Sequence, residues 1–376
     1  MAVPGDPYDD CLVELYEHTL SIAGTELEFF DAHTHLGEND PDGRKATAQE
    51  IVAGLDRAGH RRALIFAMHE PSGYADANAA AIDAARGSDG RLIALARINP
   101  HDGEEAVRAA EEALAAGAVG FKLHPRSDAF DLPHPVVERL VALAHEHRAP
   151  VLFHAGRGFP GLGESVADLA RSYPGARLIL AHAGISDLGH LGEVAAEAPN
   201  LFFDTSWWQV SDLLTLYANV SPGRILYASD MPYGSARFGA LAFLRCALAV
   251  GTSPEALRAM AGEQLARVIS GEDPIDLGPP PGEKVLGRRD LTAERGLVYI
   301  AGAIQAAFRG YDPTEPISLA RLALRPARTA AVAYTDGLLA AAQEGLAEDP
   351  ELVRTVVQPA LAAQLVLGTA GVPVPA

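Results

Sequence analysis

Cysteine is nearly absent: Cys11 and Cys246 are the only two in 376 residues. That is too few for a disulfide framework or a thiolate zinc site, and it suits a reducing cytosol. Basic residues are short as well, with 30 Lys and Arg against 49 Asp and Glu and a formal net charge of −19. Such a field repels phosphate backbones and anionic membranes, so neither nucleic acid nor a membrane surface is an expected partner. No uncharged apolar run approaches the roughly 18 residues of a membrane helix, and the acidic start MAVPGDPYDDCLVELYEH lacks the basic and apolar segments of a signal peptide. A cytoplasmic protein is expected. No glycine-rich phosphate loop of the GxGxxG kind follows the first apolar run. With 48% hydrophobic and 21% charged residues, the chain can build one large core and an appendage.

From about Glu26 to Asp230 one pattern recurs: a short β-rich run, a loop rich in Gly, Pro and His, then a helical stretch. The predicted strands lie near 26–32, 62–68, 91–97, 118–124, 150–154, 177–182, 201–205 and 225–229. Apolar residues at helical spacing fill the gaps, as in Thr47 to Ala58, Asp76 to Arg86, Glu104 to Ala116 and Pro135 to His147. The first of these opens with a capping-box pair, Thr47 and Glu50. Strand and helix alternating in this way predict an α/β protein, a closed (β/α)8 TIM barrel, with an open doubly wound sheet as the competing architecture.

Several predicted strands end in side chains that can ligate a metal. Asp31-Ala32-His33-Thr34-His35 closes the first, and because alternate strand residues share a face, His33 and His35 can grip one ion. Val151-Leu152-Phe153 ends in His154, Leu178-Ile179-Leu180-Ala181 in His182, and Ile225-Leu226-Tyr227-Ala228-Ser229 in Asp230. Each histidine alone is better read as a structural imidazole; together, at the carboxyl ends where such barrels assemble their sites, they make a constellation.

These motifs, with Gly120-Phe121-Lys122-Leu123-His124-Pro125 and Tyr227-Ala228-Ser229-Asp230-Met231-Pro232, resemble the amidohydrolase superfamily. More narrowly they are similar to its amidohydrolase-related branch, which includes aminocarboxymuconate-semialdehyde decarboxylase. The resemblance covers about residues 26 to 270. It implies His33, His35, His154 and Asp230 as ligands of one Zn²⁺, with Mn²⁺ or Fe²⁺ also compatible with such donors. Asp230 would move protons and His182 would act as acid, base or electrophile. The implied reaction is attack of metal-bound hydroxide on an amide, lactone or ester carbon of a small substrate. Non-oxidative decarboxylation of an unsaturated or aromatic acid is the alternative, and a barrel without catalysis that serves as an interaction module is a further one. One departure stands out: the branch commonly has a Gly-x-Asn-Ala-like segment after the last strand, and this chain reads Gly262-Glu263-Gln264-Leu265.

Lys122 sits where binuclear relatives carry a carboxylated, metal-bridging lysine; substrate contact and a structural ion pair compete with that role, and His124 shares its face. Arg126 and Arg157 follow the fourth and fifth strands and could fork onto a substrate carboxylate. Phe159, Trp207, Trp208 and Tyr233 follow the fifth, seventh and eighth strands and could wall the substrate. His69, ending the second strand, is a weaker pocket candidate, while His18, His60, His145, His147 and His190 fall in helical patterns where packing or solvation is the default. These assignments divide the chain into a barrel with an N-terminal helix (1–275), a proline-rich connector (276–285) and a helical extension (286–376). The extension carries amphipathic stripes near Leu291 to Phe308, from Ser318, after Pro326 and after Pro350, which suit packing or a homo-oligomer contact.

Overall fold

The computed structural model describes residues 12–41, 43–158, 161–287, 290–348 and 353–375. Parallel strands follow one another in chain order: β1 (Phe30–Leu36), β2 (Arg62–Ala67), β3 in two pieces (Leu92–Ala94 and Ala96–Arg97), β4 (Phe121–Leu123), β5 (Pro150–Phe153), β6 (Arg177–Leu180), β7 (Leu201–Asp204) and β8 (Ile225–Leu226). The two pieces of β3 are joined through Leu95, whose N–H donates to the Ile65 carbonyl at 2.9 Å. Beyond β8 the chain closes on β1. Ala32 N–H donates to Tyr227 O at 2.9 Å, Asp230 N–H to His33 O at 3.0 Å and His35 N–H to Met231 O at 2.8 Å. The sheet is therefore a closed (β/α)8 barrel and not an open one.

Helices cover its outside: α1 (Val13–Ile22) before β1, then α2 (Ala48–Ala58), α3 (Ala75–Arg86), α4 (Glu104–Ala116), α5 (Pro135–His147), α6 (Leu162–Ser172), α7 (Leu188–Glu197), α8 (Val210–Asn219) and α9 (Ala236–Ala249). The capping box at α2 is formed, with Glu50 N–H on Thr47 Oγ1 at 3.2 Å and Thr47 N–H on Glu50 Oε2 at 2.8 Å. Inward-facing Phe30, Leu64, Phe66, Leu152, Ile179, Phe202 and Leu226 make a core of their own inside the barrel. The alternate residues of each strand pack outward under the helices.

Two sequence expectations are corrected. β1 starts at Phe30 and not near residue 26, because pairing with β2 begins only where Phe30 meets Arg62. The DxHxH motif thus lies within the strand. Between Asp31 and Thr34, β1 also carries one residue more than β2, a bulge that re-aims the following side chains. The second correction concerns β8, which ends at Leu226: its pairing with β7 stops where Asp204 meets Leu226, and Ala228 N–H donates to Thr205 Oγ1 at 3.0 Å instead. Further on the backbone turns left-handed at Asp230, with φ of 61°.

After α9, α10 (Pro254–Arg258) runs through a π turn (Ala259–Glu263) into α11 (Gln264–Ser270), which supplies Leu265 and Val268 to the inner core. Gly262 lies so close to β1 that a Cβ there would stand 2.4 Å from Glu28 O. Gln264, at the place where the family pattern has asparagine, is fully buried. Its amide donates to the Gly223 and Ile275 carbonyls, and its oxygen accepts Ile275 N–H at 2.9 Å. The departure is thereby filled by a side chain that ties α11 to the approach of β8 and to the connector.

The extension contains α12 (Leu291–Phe308), α13 (Thr314–Ala323), α14 (Ala330–Glu348) and α15 (Val353–Gly368). α15 packs on α8 and α9 of its own barrel, and Gly368 touches Val210. Arg245 of α9 is fully buried. It donates to Thr369 Oγ1 at 3.0 Å, Pro373 O at 2.9 Å, and Val372 O and Thr369 O at 3.0 and 3.3 Å. No carboxylate pairs with it among the described residues, and burial lowers its pKa to about 10. Backbone carbonyls replace the water this guanidinium gave up.

Arg245→Met would leave those carbonyls unpaired. The expected cost is about 3 kcal/mol in urea unfolding, with earlier proteolysis after α15; a loss under about 0.5 kcal/mol, ordinary for a surface change, would mean that the clamp carries no stability.

Candidate metal centre and active site

The bulged β1 points His33 and His35 into the barrel mouth, and the left-handed turn at Asp230 brings its carboxylate back over them. His33 Nε2 lies 3.1 Å from His35 Nε2, His35 Nε2 lies 3.0 Å from Asp230 Oδ1, and His33 Nε2 lies 3.4 Å from the same oxygen. Among the described residues these three form the group that could hold a metal ion. Bonds of about 2.0–2.2 Å at angles near 90–110° put neighbouring ligand atoms about 3.0–3.4 Å apart, which is the spacing found. The donor set therefore fits a divalent cation.

A buried network fixes the chemistry of those atoms. Asp204, at the end of β7, accepts His33 Nδ1–H on Oδ2 at 2.7 Å. His33 thus carries its proton on Nδ1 and turns the Nε2 lone pair to the cluster. The other oxygen, Oδ1, accepts His182 N–H at 2.9 Å and Ser206 N–H at 3.0 Å. Asp31 Oδ1 takes His33 N–H and Ser229 N–H at 3.1 and 3.0 Å, joining the two ends of the barrel seam. Burial, followed by nearby positive charge from Lys122, holds His33 and His35 well below the usual imidazole range. Both are neutral donors at neutral pH. Burial pushes Asp230 up from the usual carboxylate range, and a cation beside it would bring it down again.

His154 and His182 form a second pair. His182 Nδ1 donates to Ser206 O at 2.7 Å, and His182 Nε2 lies 3.0 Å from His154 Nδ1. His154 is not among the three grouped residues. Its Nε2 is buried with no hydrogen-bond partner, and Gly156 passes so near that a Cβ would come within 2.8 Å of that nitrogen. His182 has φ of 56°, so both candidate catalytic residues sit in the left-handed region that non-glycine residues adopt at a cost. His124 stacks on His154 with ring centroids 4.0 Å apart. Lys122 is fully buried over the Phe66 ring, 4.7 Å from its centroid, and Nζ has no hydrogen-bond partner. Burial pushes its ammonium well below the usual lysine range, opposed in part by the Asp204 carboxylate.

The predicted substrate residues separate. Tyr233 packs edge-on to the His35 ring at 5.0 Å and donates to Asp40 Oδ1. Trp207 and Trp208 are partly buried, with Trp207 6.2 Å from His182, and Arg157 lies over both indoles. Arg126 is exposed and makes no hydrogen bond or ion pair among the described residues. Phe159 lies outside the described residues. His69 lines a cleft of about 390 Å³ beside the mouth with Tyr74, Asn99 and Asp128.

Sequence reading missed Asp204, Ser206 and the buried pair of Arg97 and Asp128, whose atoms approach to 3.0 Å. Asp204 carried the same signal as the ligands, an apolar run Leu201-Phe202-Phe203 ending in a carboxylate. Asp128 lies in a loop and gave none.

Asp204→Asn is expected to keep the fold but weaken cation binding about 10- to 100-fold, because an amide can present its NH₂ to His33 and lose the tautomer. Chelator competition measures this, and unchanged affinity would remove Asp204 from any role in the centre.

No curated protein matches the chain. Solved structures share its fold: 5-carboxyvanillate decarboxylase from Sphingomonas paucimobilis, at 13% identity over 65% of this chain and 99% of that one with a TM-score of 0.51; 2,6-dihydroxybenzoate decarboxylase from Rhizobium, at 14% over 65% and 99%, TM-score 0.51; and 4-oxalomesaconate hydratase from Rhodopseudomonas palustris, at 17% over 65% and 96%, TM-score 0.50. The amidohydrolase family profile matches residues 30–263, more than half of the chain. With this closed barrel and its His33, His35 and Asp230 cluster, the chain belongs to the amidohydrolase family, in its amidohydrolase-related branch.

Proposed function

We propose that this enzyme is a zinc-dependent hydrolase of a small amide, lactone or ester, with His33, His35 and Asp230 as ligands and His154 as the fourth. The observation that carries the reading is the position of Asp230. Its side chain is 21% exposed while that of His33 is fully buried, so the carboxylate is the member of the cluster that meets both the ligand nitrogens and the incoming water. A divalent cation bound there supplies Lewis acidity, which acidifies water and polarises a carbonyl. Asp230 accepts the proton that the attacking water gives up. His182, fixed through Nδ1 on Ser206 O, exchanges a proton with the leaving group through Nε2, and His154 Nδ1 at 3.0 Å shares that proton. Arg157, Trp207, Trp208 and Tyr233 select the substrate, a role the exposed Arg126 would share from the loop after β4.

A second reading, non-oxidative decarboxylation, is favoured by one feature: the buried Lys122 ammonium without a hydrogen-bond partner, which would draw a substrate carboxylate to the same centre. Two of the structural neighbours are decarboxylases.

The variants His33→Ala and Asp230→Ala are expected to lose bound metal and turnover together, by about 100-fold or more, since each removes a ligand. His182→Ala should keep its metal and lose about 100-fold in turnover. His154→Ala decides the fourth ligand: loss of metal supports it, while full metal with slow turnover makes His154 a partner of His182 only. Product analysis in ¹⁸O-labelled water separates the reactions. Label in the product supports hydrolysis; unlabelled product with released CO₂ supports the second reading. Full activity in metal-free protein would overturn both.

A further inference from the structure

The mouth of the barrel has a wall that does not come from the barrel. Phe308, the last residue of α12, packs edge-on to Trp208 with ring centroids 5.8 Å apart. Trp208 lies 5.8 Å from Trp207, and Trp207 lies 6.2 Å from the His182 ring. Arg157, on the loop after β5, spans both indoles, its guanidinium carbon 5.2 Å from the Trp207 ring and 5.6 Å from that of Trp208. Three aromatic rings and one cation thus run without a break from the candidate catalytic imidazole to the C-terminal extension.

Each member is held in place but not used up. The Trp207 indole N–H donates to Asp212 Oδ2 at 2.7 Å, which fixes the ring; the Arg157 charge acts on this carboxylate without an ion pair between them. Arg157 makes one hydrogen bond among the described residues, from Nη2 to Gln209 Oε1 at 3.3 Å, and no ion pair. Most of its five N–H donors are therefore open. Phe308 is 52% exposed even with Trp208 against it, and Trp208 is only partly buried. Aromatic faces left open beside a stacked guanidinium suit a flat ring, and the guanidinium edge, which stacking leaves free, suits an anion.

We propose that Trp208, Arg157 and Phe308 form a distal subsite that receives the far end of the substrate and takes a flat group bearing negative charge. The C-terminal extension thereby takes part in substrate selection through Phe308. This rests on the preceding reading only in taking the barrel mouth as the place where substrate enters; it is independent of the bond that is broken.

The chain's two tryptophans both belong to this wall, so their emission reports on it directly. The full-length protein is titrated with 4-nitrobenzoate, whose nitro group quenches indole emission. 4-Nitrobenzyl alcohol is the flat, uncharged control, and cyclohexanecarboxylate is the anionic, non-planar competitor. Saturable quenching by 4-nitrobenzoate is expected, with both controls binding about tenfold more weakly. Phe308→Ala and Phe308→Leu should each weaken binding about fivefold, the leucine keeping apolar bulk without the flat ring; Arg157→Gln should weaken it about tenfold. His33→Ala should bind the probe within about twofold of the parent, because the subsite stands apart from the metal centre. Absence of saturable quenching, indifference to both Phe308 variants, or loss of the signal in His33→Ala would overturn the proposal. Failure of the metal-centre reading shows itself separately, as retained metal or retained turnover in the ligand variants, with the quenching intact.

Discussion

A carboxylate with no exposure to water, Asp204, holds the site together. One oxygen grips the ring of His33 on β1 and the other takes the backbone of His182 beyond β6 and of Ser206 beyond β7. Three strand ends are thereby set against one another by hydrogen bonds to a single charged group, each stronger than a neutral bond in so dry a place. The Nε2 lone pair of His33 faces the cluster because this carboxylate removes the alternative tautomer.

The same logic explains the cluster of unusual backbone angles. A barrel strand delivers its side chains across the mouth, but a residue needed over the centre of the mouth has to turn back. His182 and Asp230 do so through left-handed conformations, and the bulge in β1 achieves a similar re-aiming for His33 and His35. Local cost is accepted where geometry of the site demands it, and the surrounding hydrogen bonds keep the strain from relaxing.

Much of this was legible in the sequence, for definite reasons. An apolar run that stops at His or Asp marks a strand entering a polar mouth, so His33, His35, His154, His182 and Asp230 could be named, and local signals such as Thr47 with Glu50 named a helix start. Partners distant in sequence could not be read. Asp204 lies 171 positions from His33, and nothing near it in the chain announces the pairing. The bulge was hidden because it exists only in the register of β1 against β2, and β1 was placed too early because the apolar run Leu27-Glu28-Phe29-Phe30 begins before that pairing does. The contacts of His154 with His182 and His124 join residues of neighbouring strand ends, for which a residue's place on its own strand gives no guide. Gln264 looked like a departure from the family pattern and proved to be a buried side chain bonded to the backbone of Gly223 and Ile275.

The clamp made by Arg245 has a consequence in time. Its partner Thr369 stands 124 positions further along the chain, so at ordinary rates of synthesis the guanidinium waits on the order of ten seconds for the carbonyls that will satisfy it. Over that interval α9 cannot settle with this cation in a dry flank, and the side of the barrel carrying α8 and α9 stays open to water. The ribosome thus imposes an order of events: the strands that bear the metal ligands are complete early, while the face behind them is sealed among the last.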